Sequence, residues 1–555
     1  MSDQFYVTDT VLSERFPIYT RANVGEVFPD PVTPLTSSSA LWEAELGWRD
    51  AWVRMGAFEA DELPADDFCQ LAVQGGYCYL NASLIRLFGV RAPGLTWQMM
   101  DEQVFGAQPG IPAYVESPGD ERPDLTEKIG ASFAWVFGQQ SLADLTELTA
   151  DRAETKALRD QRPDYTAMTL QQLWHRVLDM VPIHRRMFGQ HLFTTYMATV
   201  PVGTISAIAT AVGRPDLIMP ILAGIGDVDS AEPSYAMWSL SRMDPASDEF
   251  RDAFAAFLYE FGSRGPNEWE SRSPSWESRP ALAIAAIDRM RVAPDSANPK
   301  GHQAERAAER AAAASELLAI VAGDPAVHGQ LAAAIGCTAA WLPGRERTKT
   351  NNIRVVHELR MPLREIGRRM VADGVFDEIE DFGFVTYEEM PAFLENPHPL
   401  ATTVRERRVA YLHLLELEPP FVFVGRPDSP ATWRRRDSDG DAKLAPGEML
   451  AGVPGCSGIA EGIARVVLDS SDPSSLNPGD ILVAPITDPS WTPLFVPAAG
   501  VVVDVGAPLS HAIIVSRELG IPCVISATDA TRRIPNGSRI RVDGNTGVVT
   551  VLSAP

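Results

Sequence analysis

The stretch 500-GVVVDVGAPLSHAIIVSRELGIPCVIS-526 decides how the C-terminal part of this chain folds. Its Val501–Val503 run reads as a buried strand ending near Asp504. A Gly/Pro loop follows, and Ser510 stands where a helix N-cap belongs. The helix that begins at His511 closes on Gly520 and Pro522, and a second strand follows at 522–526. His511 is thereby set among backbone N–H groups that lack an intrahelical partner, at the positive end of the dipole. That setting disfavours the imidazolium and offers donors to an anionic phosphoryl group. A neutral imidazole there can attack phosphorus and pass the group on, dividing one hard transfer into two. The same residues also fit a plainer reading, a histidine satisfied within a tight strand–helix turn.

Working outward, short strands are expected at 463–468, 480–485, 539–544 and 547–552, separated by turn signals such as 477-NPG-479 and 535-PNG-537. Residues 449–555 thus read as a compact α/β domain. Upstream, 425–448 is polar and rich in Pro, Gly and Asp, the texture of a linker. Within it Asp437, Asp439 and Asp441 imitate the first positions of a calcium loop. Ala442 stands where that loop needs Gly, so a solvated acidic turn is the reading. Residues 1–424 read as a mostly helical body, as in 170-LQQLWHRVLDMVPIHRRMF-188 and the Ala/Glu/Arg-rich 303–323. The expected fold class is multidomain α+β, a large helical body followed by a small β-rich domain.

The chain has 555 residues, 45% hydrophobic and 22% charged, an ordinary globular composition that excludes a disordered chain or a small disulfide scaffold. Its net charge of −25 argues against nucleic acid and against an anionic membrane surface. Residues 449–555 carry six Arg against nine acids, so most of the negative charge belongs to the body and linker. The five cysteines (Cys69, Cys78, Cys337, Cys456, Cys523) show no metal-site spacing. With no apolar run of membrane-spanning length and no signal-like N-terminus, a cytoplasmic protein is expected.

The C-terminal segment resembles the swivelling phosphohistidine domain of the phosphoenolpyruvate (PEP)-utilising enzymes. The likeness rests on Leu509-Ser510-His511-Ala512, Arg517-Glu518, Gly520-Ile521-Pro522, Gly479-Asp480-Ile481-Leu482-Val483, Thr487-Asp488-Pro489, 455-GCSGIAEG-462 and Asp543-Gly544. One departure is Ala507, where Gly-Gly is usual for 506–507. The resemblance implies that His511 is the residue phosphorylated. The body resembles the acceptor-binding domain of rifampicin phosphotransferases through 20-TRANVGEVFPDPVTPLT-36, Arg264-Gly265-Pro266 with Glu268-Trp269, Pro274 with Trp276, and 345-RERTK-349. In that family ATP phosphorylates the histidine, AMP and phosphate leave, and the histidine domain swings to the acceptor. No Gly-rich nucleotide-binding stretch precedes the body, and no barrel of about 250 residues follows the histidine domain. The expectation is therefore a separate ATP-grasp subunit holding ATP and Mg2+, in a hetero-oligomer similar to the two-subunit aryl phosphate synthases, above all those acting on alkylphenols such as 4-cresol. The acceptor would be a small phenol. The alternatives are an antibiotic or other alcohol as acceptor, or a phosphocarrier or regulatory protein without catalysis.

In the body, Arg345, Arg347 and Lys349 are candidates to receive the phosphohistidine. Arg345 and Lys349, four apart, share one helix face, the spacing that clamps a phosphoryl group. By resemblance these two line the transfer site; the plain alternative is a solvated basic face. Arg264 is a substrate-binding candidate in its Gly/Pro loop, as are Arg347 and Ser510. Ser263 stands where many relatives carry a His. A phenol needs less help to lose its proton than an aliphatic alcohol does. The other histidines, including His175, His184 and His191, could supply a base, though each also reads as structural. Arg360, Arg364 and Arg368, with Glu358 and Glu365, read as a surface stripe. The 75-GGYCYLNASL-84 stretch and the aromatic helices at 168–198 could line an apolar pocket or simply form core.

Overall fold

The computed structural model describes residues 6–106, 108, 110–226, 229–295, 298–436, 442–468, 476–487, 491–506 and 510–555. A large helical body precedes a small β-sheet domain. The candidate calcium aspartates Asp437, Asp439 and Asp441, together with Asp488-Pro489, Ala507 and Leu509, lie outside the described residues.

Three helices frame the body: α1 (Trp42–Met55), α2 (Leu170–Ala211) and α3 (Pro325–Ala372). A capping box starts α2, in which Thr169 Oγ1 accepts from the Gln172 N–H and Gln172 Oε1 accepts from the Thr169 N–H. Asp324 caps α3 by accepting from the Ala326 and Val327 amides, with Pro325 at the first helical position. Each long helix tolerates two internal prolines, Pro182 and Pro201 in α2, Pro343 and Pro362 in α3. A lone helix would break there; here α2 and α3 pack on one another and α1 packs on α2. By length and composition α2 could cross a membrane, but in this fold it is a packing element of the body. Trp52 is fully buried at the centre, with Phe58, Phe88 and Tyr196 ring centroids at 5.1, 5.0 and 4.6 Å.

The body also contains a sheet that helical texture had concealed. Strands β1 (Ile18–Thr20), β2 (Leu71–Gln74), β3 (Tyr77–Asn81) and β4 (Val422–Val424) pair antiparallel in the order β2-β3-β1-β4. They are three to five residues long, and β2 and β3 are buried throughout, so no alternation betrays them. The readable signal was the Gly75-Gly76 turn, where both φ values are positive (55° and 78°), as a tight hairpin turn requires. The stretch read as a pocket-lining candidate is this hairpin plus the start of the next helix, and it is core. Much of the expected linker also rests on the body: Leu417–Glu418 pairs with Arg434–Arg435, and the Gly425 amide donates to Pro17.

In the C-terminal domain, β5 (Met449–Ala451), β6 (Val453–Cys456), β7 (Ile459–Val466), β8 (Ile481–Ala484), β9 (Gly500–Val503), β10 (Cys523–Ile525), β11 (Arg539–Asp543) and β12 (Val548–Ser553) form one sheet. Its order is β5-β12-β11-β7-β8-β9-β10-β6, with β7 to β10 parallel and the other pairs antiparallel. Helix α4 (His511–Leu519) crosses from β9 to β10. Leu482, Ala484, Val501 and Val503 face α4 through Ala512, Ile513, Val515 and Leu519. Ile481, Val483 and Val502 face Ile540, Val542, Val549 and Val551 on the other side. Burial on both faces explains the unbroken apolar runs of these parallel strands. The two short strands β5 and β6 were not foreseen, being three and four residues long and followed or interrupted by glycine and proline.

Candidate functional site

Helix α4 ends as its sequence implies. Gly520 is left-handed (φ 70°), its amide donates to Arg517 O at 3.3 Å, and the Ile521 amide donates to Ser516 O at 2.8 Å. At the other end Ser510 has N-cap backbone angles, yet its hydroxyl makes no capping bond and is buried without a partner among the described residues. The His511 amide instead donates to Oε2 of Glu26, a residue of the body, at 3.2 Å. The imidazole is buried and held at both nitrogens by hydroxyls, Thr487 Oγ1 at Nδ1 and Thr492 Oγ1 at Nε2, each 3.1 Å away. Phe495 meets the ring edge-on at 5.8 Å. Burial, and then the positive charges of Lys349, Arg264 and Arg345, hold the His511 pKa well below the ordinary histidine value. The ring thus lies buried within electrostatic reach of a cationic wall that disfavours its protonation.

That wall belongs to the body. Arg345 and Lys349 sit one turn apart on α3. Arg264 comes from the loop after the helix Asp248–Phe261. The loop is pinned by Trp276 N donating to Arg264 O at 2.7 Å and Glu277 N donating to Gly262 O at 2.9 Å. At Gly265 a Cβ would lie 2.5 Å from the Pro274 carbonyl oxygen, so only glycine lets the two strands of the loop approach this closely. Arg264 Nε pairs with Glu268 at 3.0 Å, and Arg345 Nη1 with Glu346 at 2.6 Å. Lys349 makes no hydrogen bond or ion pair among the described residues. Burial lowers its pKa; Glu346 and Glu268 oppose that, while Arg264 and Arg345 add to it.

Arg347 does not join this group. It points to Asp229 (3.7 Å), which Arg152 also holds at 2.6 Å. The reading of Arg360, Arg364 and Arg368 as a surface stripe is corrected at its first member. Arg360 is 1% exposed and donates to the backbone carbonyls of Glu268 (2.8 Å), Glu270 (3.2 Å) and Ser271 (3.3 Å). It is the internal post of the loop that presents Arg264. Arg364 and Arg368 do pair with acids, Glu380 and Glu365.

Two further groups enter the site from far along the chain. Glu26 lies in the body's N-terminal segment. His191, on α2, places Nδ1 2.9 Å from Thr348 Oγ1, and burial with Arg345 and Lys349 nearby keeps its pKa well below 6.5. His191 is one of the histidines named above as possible bases; tertiary packing of α2 on α3 brings it here, and nothing local in the sequence singles it out from the others.

Buried neutral histidines make an acid-sensitive fold. His184 is lowered to about 4 by burial, and His191 and His511 lie well below 6.5. The unfolded chain takes up protons near 6.5 while the folded chain does not, so stability is complete above that pH and falls as pH drops towards 4. Urea midpoints should decline between pH 7.5 and 5. His184→Gln, which retains a donor for Ala40 O, should flatten that decline; an unchanged slope would show that His184 is not a contributor.

The comparisons with known proteins fall on this geometry. Residues 476–547 match the PEP-utilising enzyme mobile domain, and residues 243–346 match the rifampicin phosphotransferase fourth domain. A rifampicin phosphotransferase of Streptomyces sviceus is 32% identical over 340 residues, 60% of this chain and 37% of that protein. One from Bacillus cereus is 31% identical over 310 residues, 55% and 35% of the two chains. A prodigiosin synthesizing transferase of Serratia marcescens is 32% identical over 317 residues, 56% and 34%. The chain thus spans little more than a third of the length of these relatives. It carries a PEP-utilising enzyme mobile domain, with His511 on its helix, and a rifampicin phosphotransferase fourth domain that includes Arg264 and Arg345.

Proposed function

We propose that this chain is a phosphotransferase subunit in which His511 carries a phosphoryl group to a small phenolic hydroxyl. ATP and Mg2+ are held mainly on a separate ATP-grasp subunit. ATP and water give phosphohistidine, AMP and phosphate, and the histidine then yields its group to the acceptor as an aryl phosphate such as 4-methylphenyl phosphate. The observation that carries the reading is the buried His511 ring at the head of α4, held by Thr487 and Thr492, within electrostatic reach of Lys349, Arg264 and Arg345 of the body, which disfavour its protonation. A neutral imidazole is the nucleophile such a relay needs, and a cationic wall stabilises the charge of the group in transit. Ser263 favours a phenol over an aliphatic alcohol, because a phenol sheds its proton more readily. The likeness to rifampicin phosphotransferases supports a second reading, an antibiotic hydroxyl as acceptor.

The test combines the chain with an ATP-grasp subunit, ATP labelled at the β-phosphorus, and either 4-cresol or rifampicin. Label should pass through His511 into 4-methylphenyl phosphate, and His511→Ala should abolish both steps. Product formed by His511→Ala would overturn the relay. Label delivered to rifampicin and not to 4-cresol would select the second reading.

A further inference from the structure

We propose that His191 takes the proton from the acceptor hydroxyl as the phosphoryl group leaves His511. This inference rests on the phosphotransferase reading and adds the one role that reading leaves empty.

The hydrogen bonds fix which nitrogen is available. Thr348 Oγ1 donates its only proton to Arg345 O at 2.8 Å. Its lone pair must therefore receive the Nδ1–H of His191 at 2.9 Å. The proton of the neutral ring is on Nδ1, and Nε2 carries the lone pair. Among the described residues the ring's hydrogen-bond partners are Thr348 Oγ1, at Nδ1, and the backbone of Arg345, whose carbonyl also accepts from Thr348 Oγ1. The other histidines named as possible bases are differently placed. His184 donates Nε2–H to Ala40 O, in a cavity lined by Leu35, Val177, Leu359 and Leu363. His175 bonds an exposed carbonyl of its own helix. His357 is engaged at both nitrogens, by Arg360 and by Glu277.

The surroundings of His191 suit an aromatic alcohol. Trp269 lies 6.3 Å from it at 35°, and Phe188 lies 6.3 Å from it edge-on. The Trp269 Nε1–H and both polar atoms of the Asn351 amide are buried without partners among the described residues. Asn351 is three residues beyond Thr348 on α3, and so on the same face. Unsatisfied polar atoms beside aromatic walls are what a hydroxyl-bearing ring would complete. Arg345 and Lys349 act on both His191 and His511, so the two imidazoles flank one cationic cluster.

In the step, the acceptor O–H bond breaks and its proton passes to His191 Nε2. The oxygen's electron pair forms the O–P bond. The P–N bond to His511 breaks, and its pair returns to the ring nitrogen. The imidazolium formed at His191 is disfavoured beside Arg345 and Lys349 alone. A phosphoryl group bringing nearly two negative charges offsets them, so the base strengthens when there is a group to transfer.

The experiment uses the full chain loaded at His511 with labelled phosphoramidate, freed of excess reagent, and mixed with 4-cresol or 4-nitrophenol in a single turnover. His191→Asn keeps a donor for Thr348 Oγ1 but offers no proton-accepting nitrogen, and His191→Gln serves as a second variant. Both should take up label on His511 as the parent does and lose transfer to 4-cresol by about 10²-fold or more. Transfer to 4-nitrophenol, already ionised at mildly alkaline pH, should change by only a few-fold. Equal losses with both phenols would reduce His191 to a structural role, and unchanged transfer to 4-cresol would remove it from the mechanism. Absence of label on His511, or label that reaches neither phenol, would overturn the phosphotransferase reading itself.

Discussion

Replacing Lys349 by Met should leave His511 as readily phosphorylated as in the parent chain, yet slow transfer to the acceptor by about 10²–10³-fold. The reason is a count of charges at the transfer site. Arg264 is paired with Glu268 and Arg345 with Glu346, whereas Lys349 has no partner of its own among the described residues. Within the basic cluster Lys349 is thus the cation without an acid in hydrogen-bond or ion-pair contact among the described residues, the charge that a phosphoryl group in flight would meet. Met keeps the length and apolar stem of the side chain, so the substitution removes charge with little loss of packing. On the proposed relay, phosphorylation would take place with the histidine domain facing its donor, away from this wall, and should be indifferent to the change. Single-turnover transfer from a phosphoramidate-loaded chain separates the two steps. An unaltered transfer rate would place the reaction elsewhere.

Arg360→Met should be the most damaging single change to the fold near the site, lowering stability by about 3–5 kcal/mol. Burial lowers the Arg360 pKa to about 10, but its guanidinium remains charged and donates to three loop carbonyls and to His357 Nδ1 at 3.3 Å. Removing it leaves those carbonyls unsatisfied in a buried place, each at a cost of about 1–3 kcal/mol. It also frees the segment that carries Arg264 and Glu268. Hydrogen exchange across residues 264–271 should accelerate and transfer should fall, while the sheet of the C-terminal domain keeps its protection. Unchanged exchange in that loop would show that Gly265 and the Trp276–Arg264 bond suffice to hold it.

These two cases mark how far the sequence could be read. Helix α4 and its flanking strands were legible because every boundary has a local cause: Val runs, a Gly/Pro loop, then Gly520 and Pro522. The Arg345–Lys349 pair was legible because four-residue spacing on a helix fixes a shared face. Arg360 was misread by the same rule. Spacing tells which residues share a face, not whether that face meets water, and its partners are carbonyls about 90 residues away. The body's sheet escaped because its strands are only three to five residues long and two of them, buried on both sides, show no period. Glu26 escaped because it reaches the site only through contacts between distant segments, and His191, one of several histidines named as a possible base, could not be told from the others for the same reason.

The Glu26 contact has a consequence for the order of events. In this pose a carboxylate lies on the amide at the head of α4, on the same residue whose ring would bear the phosphoryl group. Both are anions, and either ring nitrogen is within a side chain's length of that amide. A loaded His511 therefore cannot keep Glu26 where it stands without bringing like charges together in a buried space. On the proposed relay this arrangement would fit the histidine after its phosphoryl group has gone. Delivery and recoupling would then be linked, so that the empty domain would be the one that fits home and a freshly charged one would first have to displace an acid from its seat.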